Sequence, residues 1–116
     1  IMMPEMAAFK TSEDYYATLF HEMAHSTGHE SRLNRKLDTS FGNENYSQEE
    51  LVAEFTSAML CSVAGIDNTL NESAAYISGW LKALKNDKSL LVHAASKAQK
   101  AADYILNPAD ETETAE

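Results

Sequence analysis

The chain of 116 residues carries one cysteine, nine basic residues against eighteen acidic ones, and no long uninterrupted run of apolar side chains. Each scarcity excludes something. Cys61 has no partner for an internal disulfide, so a reducing cytoplasm is the expected compartment, and its place in an apolar helical run predicts a buried thiol. A net charge of -9 opposes unaided binding to nucleic acid or to an anionic membrane surface. No apolar segment is long enough to span a bilayer, and the first residues lack the basic, apolar and small-residue order of a secretory signal. The expectation is a soluble, cytoplasmic chain with no membrane partner.

What is present is enough for one hydrophobic core: 44% of the residues are apolar, and the length suits a single domain. Its most informative stretch is His21-Glu22-Met23-Ala24-His25, an HExxH run. On a helix, positions i and i+4 share a face, so both imidazoles reach one metal ion with Glu22 beside them. That arrangement serves a zinc-activated water, with Glu22 as the general base that takes its proton. Surface histidines are the alternative, but Tyr16, Leu19, Phe20, Met23 and Thr27 form an apolar stripe that places this helix partly in a core. Thr11 or Ser12 is positioned to cap its start, and Gly28 to end it.

The remaining elements follow from punctuation and periodicity. Ile1-Met2-Met3-Pro4 reads as a short strand halted by proline, the edge of a sheet whose other strands lie upstream in a longer protein. Residues 30–46 are polar and aperiodic, a loop crossing the HExxH helix. Further helices are predicted over about 48–64, from near Asn71 to the Asn86-Asp87 turn, and from about Ser89 to Leu106, the last with an alanine-rich packing face. The predicted class is mainly α (α+β): about four helices and a small sheet remnant in a domain over residues 1–107. An acidic tail over 108–116 is expected to be disordered.

Catalytic zinc takes three protein ligands, so two histidines leave one to find. The HExxHxxGxxH pattern fails, because Ser31 stands where its third histidine belongs and His29 comes two residues early. The second predicted helix offers Glu49, Glu50 and Glu54. Glu50 is the expected ligand and Glu54, one turn on, the residue that holds a ligand imidazole from behind. Two alternatives stay open: Ser47 and Glu50 as a helix capping box, and Glu54 as the ligand. His93 on the last helix reads as an ordinary exposed or satisfied histidine. Tyr46, Tyr76, His29 and Arg32 are chemically able to donate to an oxyanion, and none is assigned that role.

Taken together, Tyr15 to His29, Ser31 to Arg35, Tyr46 to Glu54 and the helix from Ala94 to Leu106 resemble the C-terminal metallopeptidase domain of ArdC-type antirestriction proteins, the polyvalent-protein metallopeptidases. The resemblance implies a zincin-like fold, zinc on His21, His25 and a second-helix glutamate, and Glu22 as general base. It also implies carriage by plasmids, phages or conjugative elements. Such proteins typically have an N-terminal single-strand DNA-binding domain, which this chain lacks, so no nucleic acid is expected as its direct partner. The expected function is hydrolysis of a protein or peptide substrate. The alternative is a zinc-stabilised acidic module, without catalysis, that occupies the DNA-binding face of a host defence protein.

Overall fold

The computed structural model describes residues 1–35, 44–85 and 87–107. Among these residues four α-helices carry the fold: α1 (Ser12–Ser26), α2 (Glu44–Val63), α3 (Leu70–Ala83) and α4 (Lys88–Leu106). The helix starts use short polar side chains as caps. Thr11 Oγ1 accepts from the backbone N–H of Asp14 at 3.1 Å, and Asp87 Oδ1 accepts from that of Ser89 at 3.0 Å. Each cap satisfies an otherwise orphaned donor and is worth about 1 kcal/mol. At the far end of α2 the chain closes on itself, with Ile66 N–H bonding to Cys61 O at 2.8 Å and Gly65 N–H to Ser62 O at 3.2 Å. This geometry puts Gly65 at φ +79, where a residue with a Cβ is strained.

The second helix is the axis of the molecule, and the other three helices pack around it. Leu51 and Val52 are buried with Leu84, Ala94 and Ala98, and Phe55, Met59, Ile77, Trp80 and Leu90 close round them. The alanines of α4 have no side-chain bulk to hold α2 away, so the two backbones approach closely over Ala94, Ala98, Ala101 and Ala102, all of them buried. Ser57 adds a polar tie, its hydroxyl donating to Ala17 O of α1 at 2.8 Å. Cys61 is buried as a free thiol.

The structure corrects the expected sheet remnant: no strand is present among the described residues. Ile1 and Met2 are exposed, and a single 3-10 turn over Met6–Ala8 leads into the Thr11 cap. A strand needs neighbouring backbone to take its hydrogen bonds, and nothing described here offers that edge. The second helix also starts earlier than position 48, at Glu44. Polar residues at its start hid a turn that is held by packing, with Tyr46 set edge-on against Trp80, centroids 5.5 Å apart. The proposed crossing loop lies outside the described residues over 36–43, as do Asn86 and the acidic tail over 108–116. None of the described helices is long and apolar enough to cross a membrane.

Candidate metal centre

The first and second helices lie side by side, and three of their side chains converge. His21 and His25, one turn apart on α1, bring their Nε2 atoms within 3.0 Å of each other. Glu50, projecting from α2, sets Oε2 3.0 Å from His21 Nε2 and Oε1 3.2 Å from His25 Nε2. Three atoms with lone pairs facing one another at such distances have the shape of a cation site. Tetrahedral bonds of about 2.0 to 2.1 Å would separate the donors by about 3.3 Å, close to the spacing found. Two imidazoles and one carboxylate are also the donor set of a three-ligand centre that leaves a position open. His21, His25 and Glu50 therefore form a candidate metal centre.

Behind each histidine stands a second carboxylate. Glu49 Oε2 lies 3.0 Å from His25 Nδ1, so the ring donates there and points Nε2 inward, the nitrogen left to bind a cation once its own proton is lost. Glu54 Oε1 lies 2.8 Å from His21 Nδ1 as a charge contact, without the alignment of a hydrogen bond. Glu49 is itself held. Arg35 donates from Nε to Oε1 at 2.9 Å and from Nη2 to Oε2 at 2.8 Å, and the same guanidinium reaches Ala24 O and Thr27 Oγ1, each at 2.8 Å.

The turn after α1 delivers this arginine. Leu33 N–H bonds back to Thr27 O and Arg35 N–H to Gly28 O, with Asn34 in the left-handed region at φ 50. The chain thus doubles back and lays Arg35 under the end of α1. The sequence pattern offers Glu49 as a candidate without this role, and places Arg35 in the family-like stretch from Ser31 without giving it a function. Its signal is faint, a basic residue ten positions after the HExxH run with no periodicity to mark it.

The electrostatics follow from the crowding. Burial alone would lower the pKa of both histidines, but the contacts with Glu50 and Glu54 raise His21 to about 10, and those with Glu49 and Glu50 raise His25 to about 9. Burial would raise Glu50, yet its hydrogen bonds to the two histidines hold it at about 2. Glu49 is likewise lowered: burial opposes the charged form, and the bonds from Arg35 and His25 outweigh it. Without a cation, His21, His25 and Arg35 face Glu49, Glu50 and Glu54 as mutually compensating charges at short range.

The other predicted residues fall into place around these. Glu22, next to His21, has no hydrogen-bond partner among the described residues, and its charge is felt at the Tyr46 hydroxyl together with that of Glu50. Burial, followed by those two charges, pushes the Tyr46 phenol above its ordinary pKa and keeps it an O–H donor. Ser47 sits inside α2 and not at its start, so it forms no capping box with Glu50. His29 turns to Ser31, 2.8 Å away, and Arg32 donates to Ser26 O at the end of α1. Tyr76 is exposed on α3, and His93 is exposed on α4.

An HExxH helix that meets a glutamate from the next long helix defines a metal-centre domain of the zincin type. Residues 1–97 match the family described as MPTase-PolyVal, zincin-like metallopeptidase, and the chain belongs to it. It is 42% identical over 106 residues to a DNA primase TraC of Escherichia coli, which covers 91% of this chain and 10% of that protein. It is 41% identical, again over 106 residues, to the uncharacterized protein y4eC of Sinorhizobium fredii, covering 90% of this chain and 34% of that one. Among solved structures, the Mn(II)-bound antirestriction ArdC protein of plasmid R388 superposes with a TM-score of 0.70 at 48% identity, over 90% of this chain and 39% of ArdC. The metal-free form of the same protein gives a TM-score of 0.69 at 47% identity. The chain thus spans between a tenth and two fifths of the length of these relatives.

Proposed function

We propose that the chain is a metal-dependent peptidase domain of an antirestriction protein carried by a mobile element, with His21, His25 and Glu50 as ligands and Glu22 as general base. The observation that carries the reading is the contrast among four glutamates. Glu49, Glu50 and Glu54 are each engaged by a histidine, while Glu22 has no hydrogen-bond partner among the described residues. A purely structural site needs ligands but no uncommitted base beside them.

A divalent cation held by His21, His25 and Glu50 supplies Lewis acidity, polarising a carbonyl and making a neighbouring water more acidic. Glu22 takes the proton of the attacking water and returns it to the departing amine. Glu49 and Glu54 keep the imidazoles turned inward, and the Tyr46 hydroxyl is bonded to Glu50. Zinc is the proposed resident ion, since a His2Glu set with an open position suits it. Zinc also ranks above manganese in affinity at such sites, so it should displace Mn(II) added first.

The net charge of -9 supports a second reading, a non-catalytic anionic module that covers the DNA-binding face of a host protein. Chelation separates the two. Stripping the cation from the chain should abolish cleavage of an unstructured protein substrate, and zinc should restore it. Failure of the metal-loaded chain to cleave, with its ion bound, would favour the anionic module.

A further inference from the structure

Two of the three converging donors have a carboxylate behind them that limits how they turn: Glu49 behind His25 and Glu54 behind His21. The third, Glu50, needs such a restraint most. Its side chain has one more rotatable bond than a histidine, and the torsion of its terminal carboxylate is soft. It also borders a cavity of about 320 Å³ between α1, α2 and α3, which leaves it room to swing away from the histidines.

Tyr46 supplies the restraint. It stands one turn before Glu50 on the same face of α2, and its hydroxyl donates to the Glu50 carboxylate. The ring is itself held, set edge-on against Trp80 of α3 with centroids 5.5 Å apart and planes at 68°. Two torsions place a tyrosine ring, so a contact that fixes the ring also fixes where its hydroxyl lies. Trp80 lines the same cavity as Glu50, and the pair of contacts from Trp80 to Tyr46 and from Tyr46 to Glu50 ties α3 to the metal centre.

We infer that Tyr46 is a positioning residue of the metal centre: anchored on Trp80, its hydroxyl holds the Glu50 carboxylate facing the point where the Nε2 atoms of His21 and His25 converge. The inference rests on Glu50 as a metal ligand and is independent of peptide cleavage. A carboxylate held in place before the cation arrives gives up less freedom on binding it, so the hydroxyl raises metal affinity without touching the ion. Packing alone would need only the ring. Phenylalanine keeps that ring against Trp80 and removes the bond to Glu50.

The test is a double-mutant cycle on zinc affinity, measured by competition with a chromophoric chelator for the native chain, Tyr46→Phe, Glu50→Ala and the double variant. Tyr46→Phe should weaken zinc binding about tenfold in the native background. In the Glu50→Ala background, where no carboxylate is left to position, the same substitution should change affinity by less than about twofold. Circular dichroism and the emission of Trp80, the sole tryptophan, should be the same with and without the hydroxyl. Native affinity in Tyr46→Phe, with Glu50→Ala strongly weakened, overturns the positioning role and leaves Glu50 a ligand. An equal loss in both backgrounds shows that Tyr46 acts through the fold and not through Glu50, and also overturns it. Native affinity in Glu50→Ala removes Glu50 as a ligand, and the role of Tyr46 with it.

Discussion

Glu49 stands directly behind His25, its Oε2 3.0 Å from Nδ1, on the side of the ring away from Glu50. The carboxylate is fixed in turn by Arg35, and both side chains of that pair are only 6% exposed. The path from Arg35 to the metal centre is therefore two contacts long, and each contact sets the direction of the next. Orientation of His25 depends on a residue from the turn after α1 as well as on the helix that carries it.

Removing Arg35 tests this arrangement. Arg35→Ala leaves Glu49 as a buried carboxylate without its main partner, which should cost about 3 kcal/mol of stability in urea unfolding. In the fraction that remains folded, zinc affinity by competition with a chromophoric chelator should fall about 10 to 100-fold. Arg35→Lys keeps the charge but not the fork, and should lie between the two. Native zinc affinity in Arg35→Ala would show that the contact only supports the fold.

The two contacts of α2 with His21 predict unequal losses. Glu50 faces the ring nitrogen that meets His25, whereas Glu54 faces the opposite nitrogen. Glu50→Gln should reduce zinc affinity by well over 100-fold, and Glu54→Gln by about 10 to 100-fold. Isothermal titration of both variants gives the order directly, and a reversed order would make Glu54 the ligand.

Protons and metal compete for the same nitrogens. With His21 at about 10 and His25 at about 9 in the metal-free chain, zinc binding at pH 7 should release protons, and affinity should climb as pH rises. Calorimetry in two buffers of different ionisation enthalpy measures the release. Stability of the metal-free chain should follow the opposite slope. The histidine contribution is complete below their unfolded value of 6.5 and is lost as pH rises through about 9 and then 10. That of Glu50 is complete above 4.5 and is lost as pH falls through about 2. The metal-free melting temperature should therefore be highest between about pH 4.5 and 6.5, and a maximum above pH 8 would contradict these interactions.

The core makes a separate prediction. Ala98 is fully buried where α4 meets α2, so Ala98→Leu should destabilise the domain by about 1 to 3 kcal/mol through overpacking, read from chemical unfolding. Because Ala98 lies away from the converging donors, zinc affinity of the folded variant should be unchanged.

Much of this was legible in the sequence because it is local. The spacing of His21 and His25 on one helix, and of Glu50 and Glu54 on the next, is a property of helical geometry that four residues reveal. Arg35 and Glu49 meet across 14 positions through a turn with a left-handed Asn34, and no periodic pattern announces such a contact. The start of α2 was hidden for a related reason: Tyr46 is held in the helix by the distant Trp80 and by Glu50, not by the polar residues beside it. Ile1 to Pro4 show the converse, a locally strand-like stretch that finds no neighbour to pair with among the described residues.

On the proposed reading, one metal centre and one base act together in this chain. It is tested most directly by measuring bound zinc and peptide cleavage side by side for the native protein and for Glu22→Gln. One zinc per chain is expected in both, with cleavage at least about 100-fold slower in the variant. Equal cleavage by the two, or zinc-loaded native protein that cleaves nothing, would contradict it.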